Sequence, residues 1–253
     1  MGKTDQIREV LLTTICCDKK QSKISREDNI ILSGQKYYSS TDADMSNFAV
    51  GFYEIVYKDI LNSKPLLKHN GSLWNNEYAG DTMNSFNTVA NITPRAGKSR
   101  VQRTAMEEWP EYLQNYYRKY HCLANFWILP MEIGRTTKGI LNKAINPTGD
   151  YMDRFLEMVH SKIRFYGYDR EYFRCFNCWG EFTDKHFLIN SYLNEELKIE
   201  LYSNFNEDKS RKFIKKALEK IGQRAECIAE SEYANKLWEY FNEWNLFKEI
   251  RSV

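Results

Sequence analysis

The stretch Asp42-Ala43-Asp44-Met45-Ser46-Asn47-Phe48-Ala49-Val50-Gly51-Phe52-Tyr53-Glu54-Ile55-Val56-Tyr57-Lys58-Asp59-Ile60 decides the reading of this chain. Met45, Phe48, Ala49, Phe52, Ile55, Val56 and Ile60 recur at steps of three and four, which lays one apolar stripe along a helix. Asp42 stands where a side-chain oxygen caps the first turn. Outward toward the start, Ile7, Val10, Leu11, Thr14 and Ile15 fall near helical spacing, and Asp18 to Asn29 is polar and charged. Residues 1–40 therefore read as a short helix and loop, a peripheral N-terminal segment.

Downstream, Pro65, Asn70-Gly71 and Asn75-Asn76 are turn chemistry, and Ser85 to Arg103 reads as an exposed connection. Thr104 with Glu107 has the pattern of a capping box for a helix through Trp109, Leu113, Tyr116 and Tyr120. His121 to Pro130 is an apolar run of strand length that predicts burial. Asp150 opens a helix with Met152, Phe155, Leu156, Val159 and Ile163 inside, and Asp169 to Leu193 predicts two helical pieces around Gly180. Asp208 to Ile221 and Ala225 to Ile250 predict a C-terminal helical pair within 205–253. The expectation is a mainly α protein: one helical domain over 1–253 with a core of Phe, Tyr and Trp and at most a minor strand component.

Composition sets the outer bounds. Of 253 residues, 42% are hydrophobic, 15% aromatic and 28% charged, which excludes collagen-like, low-complexity and globally disordered chains. Lys+Arg number 36 against 34 Asp+Glu, so no overall field marks a nucleic-acid or membrane protein. Asn125 to Ile133 is far shorter than the roughly 20 apolar residues of a spanning helix. No secretory leader or myristoylation pattern opens the chain, so a cytoplasmic protein with its six cysteines reduced is expected.

Four local patterns carry a resemblance. They are Asp42-x-Asp44-x-Ser46; Gly80-Asp81-Thr82-Met83-Asn84-Ser85-Phe86; Tyr120-His121-Cys122-Leu123-Ala124-Asn125-Phe126-Trp127-Ile128-Leu129-Pro130; and Asp153-Arg154-Phe155 with the aromatic run to Tyr192. The segment from Asp42 to about Leu193 resembles an uncharacterised bacterial family, a domain of unknown function with Tyr-x-Ile-Gly-x-x-Ile-x-x-Pro-like and Asp-Arg-Phe motifs. The family pattern continues Asn-x-Ala-Arg-Gly, whereas here Asn142-Lys143-Ala144 is followed by Ile145 and Asn146. The resemblance implies a bacterial or phage protein and brings no activity with it.

Polar residues inside apolar runs are the candidates for chemistry, because a buried polar group without a partner costs about 1–3 kcal/mol. His121 and Asn125 sit four apart, with Arg135 and Lys138 beyond Pro130. Either His121 is a general acid or base, with Asn125 orienting and Arg135 clamping an anion, or His121 and Asn125 satisfy backbone where the run meets a loop. Asp81, Asn84 and Ser85 either cap a helix or direct polar groups toward the same pocket. Asp150 and Asp153 suit a helix start, and Arg154 has the charge to pair with Asp81.

Other patterns are weaker. Arg154 and His160 have the spacing of a helical ribonuclease pair, but six residues rotate them about 240° apart. Cys175 and Cys178 form one Cys-x2-Cys without a second pair, so the cysteines read as buried small hydrophobes rather than zinc ligands. Ala96-Gly97-Lys98-Ser99 lacks the first glycine of a phosphate-binding loop, since Ile92 holds that place. Arg95, Lys98, Arg100 and Arg103 put four cations into nine residues, either tracking a phosphate backbone or standing solvated. Lys209, Arg211, Lys212, Lys215, Lys216 and Lys220 read as the wet face of a helix.

Two functional classes follow. One is an enzyme acting on a phosphate-bearing or nucleic-acid substrate through His121, Asn125, Arg135, Asp81 and Asn84. The other is a binding or regulatory module that docks a protein through Trp238, Trp244 and Phe247. No cofactor or metal is indicated by the sequence.

Overall fold

The computed structural model describes residues 2–13, 15–17, 30–32, 44, 47–61, 68–69, 72–73, 78–83, 94–95, 98–99, 108–130, 156, 160, 176–188 and 207–247. Of these, 15–17, 30–32, 47, 68–69, 72–73, 78–79, 94–95, 98–99, 129–130, 207, 209 and 210 are described in backbone only.

The protein is mainly α. Its helices are α1 (Lys3–Leu12), α2 (Asn47–Val56), α3 (Lys58–Leu61), α4 (Glu111–Lys119), α5 (Trp179–Lys185), α6 (Glu207–Glu230) and α7 (Ala234–Glu243). The strands are short and pair two by two, all antiparallel: β1 (Ile15–Cys17) with β2 (Ile30–Leu32), β3 (Lys68–His69) with β4 (Ser72–Leu73), β5 (Tyr78–Thr82) with β8 (Phe126–Pro130), and β6 (Pro94–Arg95) with β7 (Lys98–Ser99). The segment 85–103, expected as connection, thus contains the β6–β7 pair, which sets Arg95 opposite Lys98 in the backbone.

α2 carries the aromatic stripe read from the sequence, and Phe48, Phe52, Tyr53 and Val56 are all buried. The helix breaks at Tyr57 and resumes as α3, with both Ile60 and Leu61 N–H groups donating to the Tyr57 carbonyl. α7 lies across α2: the Tyr240 hydroxyl donates to the Phe48 carbonyl at 2.8 Å, and its ring stacks on Phe48 at 5.5 Å. Gly51 makes this approach possible, because a Cβ there would meet the Tyr240 hydroxyl.

α1 is not peripheral. Ile7, Val10 and Leu11 are fully buried in the main core, where α1 packs on α6 and α7. Lys3 Nζ donates to Asn235 Oδ1 at 2.6 Å and lies over the Trp238 ring at 5.5 Å. The helix that follows residue 107 starts only after Pro110, which supplies the N-cap carbonyl to Leu113 and Gln114. Thr104 and Glu107 lie outside the described residues. α4 and the first half of α6 enclose a second, smaller core of Leu113, Tyr116, Phe213, Ile214 and Ala217.

The expected break between Ile221 and Ala225 is absent. α6 runs 24 residues through Gly222, and the chain turns at Ser231–Tyr233 instead. Arg224 is the reason: its guanidinium finds partners inside the protein, so this polar residue can continue the buried stripe of Ile221, Ala225 and Ile228. The same helix corrects the wet-face reading at its end. Arg211, Lys212 and Lys215 are exposed, but Lys220 is buried. Of the residues expected to form a helix from Asp150, only Leu156 and His160 are described, both helical.

Among the described residues no helix is long and apolar enough to cross a membrane.

Candidate functional site

The residues singled out by sequence divide. Asn125 is fully buried in a 3-10 turn, and its side-chain amide donates to the carbonyls of Met83 at 2.6 Å and Tyr120 at 2.8 Å. It thus fastens the end of β5 to the end of α4. Its Oδ1 has no hydrogen-bond partner among the described residues. His121 is half-buried, with its ring 5.5 Å from Tyr120 and edge-on to Phe126 at 5.0 Å. Asp81 is buried, and its Oδ1 accepts from the Thr82 N–H at 3.0 Å.

The register of β5 and β8 sets Asp81 opposite Trp127 and Thr82 opposite Phe126. Residues paired in this way share a face, so Asp81 lies on the Trp127 face while His121 packs on a residue of the other. Asn84, Arg135, Lys138, Arg154, Arg100 and Arg103 lie outside the described residues, as do the side chains of Arg95 and Lys98. His160 packs edge-on against Trp179 at 4.8 Å. Among the cysteines, Cys122 is buried and its thiol is pushed up to about 12 by that burial, but Cys178 is exposed and Cys227 half-buried, which corrects the uniform buried reading. Phe247 is buried, with its ring 4.3 Å from Trp238, so part of the expected docking surface is spent on internal packing.

Two polar constellations emerge that the sequence reading did not single out. The first is a hub around Arg224, a fully buried cation. Nε donates to the His186 carbonyl at 3.0 Å, Nη1 to the carbonyls of Ala124 and Phe126, and Nη2 to the Tyr57 hydroxyl at 2.7 Å. The guanidinium also lies 4.7 Å from the centre of the Trp127 ring. His186 completes the layer, stacked on Phe182 at 4.2 Å and on Trp127 at 5.6 Å. Burial holds its imidazole down to about 3, so the ring is neutral, and Nδ1 donates to the Phe182 carbonyl at 2.9 Å. Beside the hub, the Thr82 hydroxyl donates to Asp44 Oδ2 at 2.6 Å and the Tyr53 hydroxyl to the Asp44 carbonyl at 2.8 Å. Burial, and then the Asp44 charge, raise Tyr53 well above the usual phenol value.

The second constellation is a cavity of about 370 Å³ between α3, the end of α5 and the α6–α7 turn. Val56, Tyr57, Ile60 and Phe187 form its buried wall; Asp59, Asp184, Glu232 and Tyr233 stand toward its mouth, and Cys227 and Ser231 lie along α6 and the turn. Its geometry depends on how α5 ends. The Phe187 N–H donates to the Asp184 carbonyl at 2.9 Å and the Leu188 N–H to the Thr183 carbonyl at 2.8 Å, the paired bonds of a Schellman cap. In that cap the left-handed position belongs to glycine by preference, yet here it is Phe187, at φ 58°. The Phe187 ring then meets Tyr233 edge-on at 6.1 Å.

Sequence signals for both constellations exist in retrospect. Arg224 occupies an apolar helical stripe, and Phe187 follows Asp184-Lys185-His186 where a helix end calls for glycine.

Comparison with known proteins returns no matching family model, no matching curated protein and no matching solved structure.

Proposed function

We propose that this chain is a ligand-binding helical protein whose site is the cavity between α3, the end of α5 and the α6–α7 turn. It belongs with the binding or regulatory class rather than with acid–base chemistry at His121. The observation that carries this reading is Phe187. A bulky residue at positive φ costs about 1 kcal/mol or more relative to glycine, and such strain concentrates at sites that bind. The side chain so placed builds a wall of the cavity, whose volume lies within the range of small-molecule sites.

Cys227 in the lining provides the test. In a Cys178→Ser background, alkylation by iodoacetamide is followed at Cys227 by mass spectrometry against a library of small neutral, cationic and anionic fragments. Fragments seated in the cavity slow alkylation of Cys227 at least fivefold, and Phe187→Ala abolishes that protection. Protection by no fragment, or protection unchanged in Phe187→Ala, overturns the reading.

A second reading has its own observation. The Arg211 guanidinium lies 4.7 Å over the Tyr112 ring, beside exposed Lys212 and Lys215 on α6, while Arg118 and Lys119 are exposed on α4. Cations interleaved with aromatics suit single-stranded nucleic acid, which stacks bases while its phosphates are neutralised. Binding of a labelled oligonucleotide that weakens steeply with salt, with a slope reduced by replacing Arg211, Lys212 and Lys215 with Ala, supports it; salt-independent or absent binding removes it.

A further inference from the structure

The lining of the cavity is unbalanced in charge. Asp59, Asp184 and Glu232 contribute three carboxylates, and the cation among the lining residues, Lys185, has its Nζ 3.2 Å from Glu181 Oε1, one helical turn back. Helix geometry explains two of the three acids and not the third. Asp59 is in the first turn of α3, where the macrodipole favours an anion. Glu232 follows the end of α6 but also directly precedes Tyr233, the N-cap of α7, whose N-terminus favours an anion, whereas Asp184 is in the last turn of α5, where the dipole favours a cation.

Phe187 and Asp184, two residues around one hollow, therefore oppose their local backbone preference. Departures from local rules without a structural gain mark functional positions. The fields of these acids also converge. Partial burial, then Asp59, Glu232 and Asp184, push the Tyr233 hydroxyl up to about 12, so it stays an uncharged donor and acceptor at the mouth. Tyr57, Phe187 and Tyr233 add aromatic surface, whose electron-rich faces attract a desolvated cation. Among the described residues, no three His, Cys, Asp or Glu side chains come together as a metal site, so the charge arrangement suits a diffuse cation with an apolar body.

On these grounds, and resting on the cavity being the ligand site, we infer that it takes a small organic cation, a protonated amine or quaternary ammonium whose apolar part fills the space against Val56, Ile60 and Phe187.

The test uses three molecules of similar shape and different charge: choline, the neutral 3,3-dimethylbutan-1-ol, and the anionic 3,3-dimethylbutanoate. Binding to the full chain is titrated by ligand-observed NMR, and occupancy of the cavity is read separately by protection of Cys227 from iodoacetamide in the Cys178→Ser background. The expected result is that choline protects Cys227 and binds about tenfold or more tightly than the neutral analogue, with the anion weakest. Asp184→Asn combined with Glu232→Gln keeps the shape and erases that preference, while circular dichroism confirms that the fold is retained. If the neutral analogue protects Cys227 as well as choline does, the cavity is a site and the cation assignment is wrong. If none of the three protects Cys227, the cavity reading falls and takes this inference with it.

Discussion

The Arg224 hub and the acid-rimmed cavity share Tyr57, which donates no charge to either, yet they use polar groups in opposite ways. At the hub, Arg224 serves four acceptors and stacks on Trp127, while Asn125 and His186 spend their N–H groups on backbone carbonyls. The Arg224 guanidinium and the Asn125–Met83 bond close seams between segments distant in sequence, while the His186 bond stays within the end of α5. At the cavity, Asp59, Asp184 and Glu232 line a hollow with exposed carboxylates, and Phe187 bears backbone strain to wall it. The difference separates polar groups that make a fold possible from polar groups that the fold merely tolerates.

The largest expected effect breaks the hub. Arg224→Met keeps the stem but strips the carbonyls of Ala124 and His186 of this donor. Buried acceptors left without partners cost about 1–3 kcal/mol each, so a loss of about 4 kcal/mol is expected in urea unfolding. A loss below about 1 kcal/mol would show that the hub is not a structural keystone. Next is Gly80→Ala in β5. The added Cβ would run into the Asp44 carbonyl and come within 2.8 Å of the Tyr53 ring, and backbone does not yield as a side-chain tip does. A loss of about 3 kcal/mol is expected, with a smaller one for Gly51→Ala, where the obstacle is the Tyr240 hydroxyl.

Acid sharpens the contrast further. His186 is neutral in the folded protein down to about pH 3, whereas in the unfolded chain it takes up a proton below about 6.5. The unfolded state therefore binds more protons across that window, and stability falls as pH is lowered from 6.5 toward 3, by up to about 1.4 kcal/mol per unit. His186→Phe should lose this component, so that its stability difference from the parent narrows on acidification; a difference constant between pH 7 and pH 4 would contradict a neutral buried ring.

At the cavity the expected changes are small. Phe187→Gly trades the wall for relief of the left-handed backbone, and a net change within about 1 kcal/mol is expected, against about 3–5 kcal/mol for Phe182→Ala in the core. Asp184→Asn should raise stability by about 0.3 kcal/mol by removing an anion from an unfavourable helix end, and Glu232→Gln, between two helix ends of opposite preference, should stay within about 0.3 kcal/mol of the parent. If either variant instead unfolds the protein, the cavity is a structural element like the hub.

How much of this was legible beforehand follows from the physics of each signal. The α2 stripe was readable because periodic burial writes itself into one helix. The polar residue Asn125 was also rightly noticed inside an apolar run, but the run does not say which carbonyls its amide meets, since those lie on Met83 and Tyr120. Arg224 hid for the opposite reason. Gly222, Gln223 and Arg224 together look like a helix break, and only the distant partners Tyr57, Ala124 and His186 make the continuous helix affordable. The start of α4 at Pro110 was legible in the proline itself, which suits the first turn of a helix. The cavity needed three separate segments in space, and no spacing rule in one dimension joins Asp59, Asp184 and Glu232.

The placement of α1 has a consequence for how the molecule is made. Ile7, Val10 and Leu11 leave the ribosome long before much of the surface that covers them, which belongs to the turn at 123–125 and to α6 and α7, beginning at Glu207 and Ala234. Until those segments emerge, the nascent chain carries that apolar face without its native cover. Contacts closed over such a separation form slowly, because a long loop must be ordered before they reward it. Completion of the main core must therefore await α6 and α7.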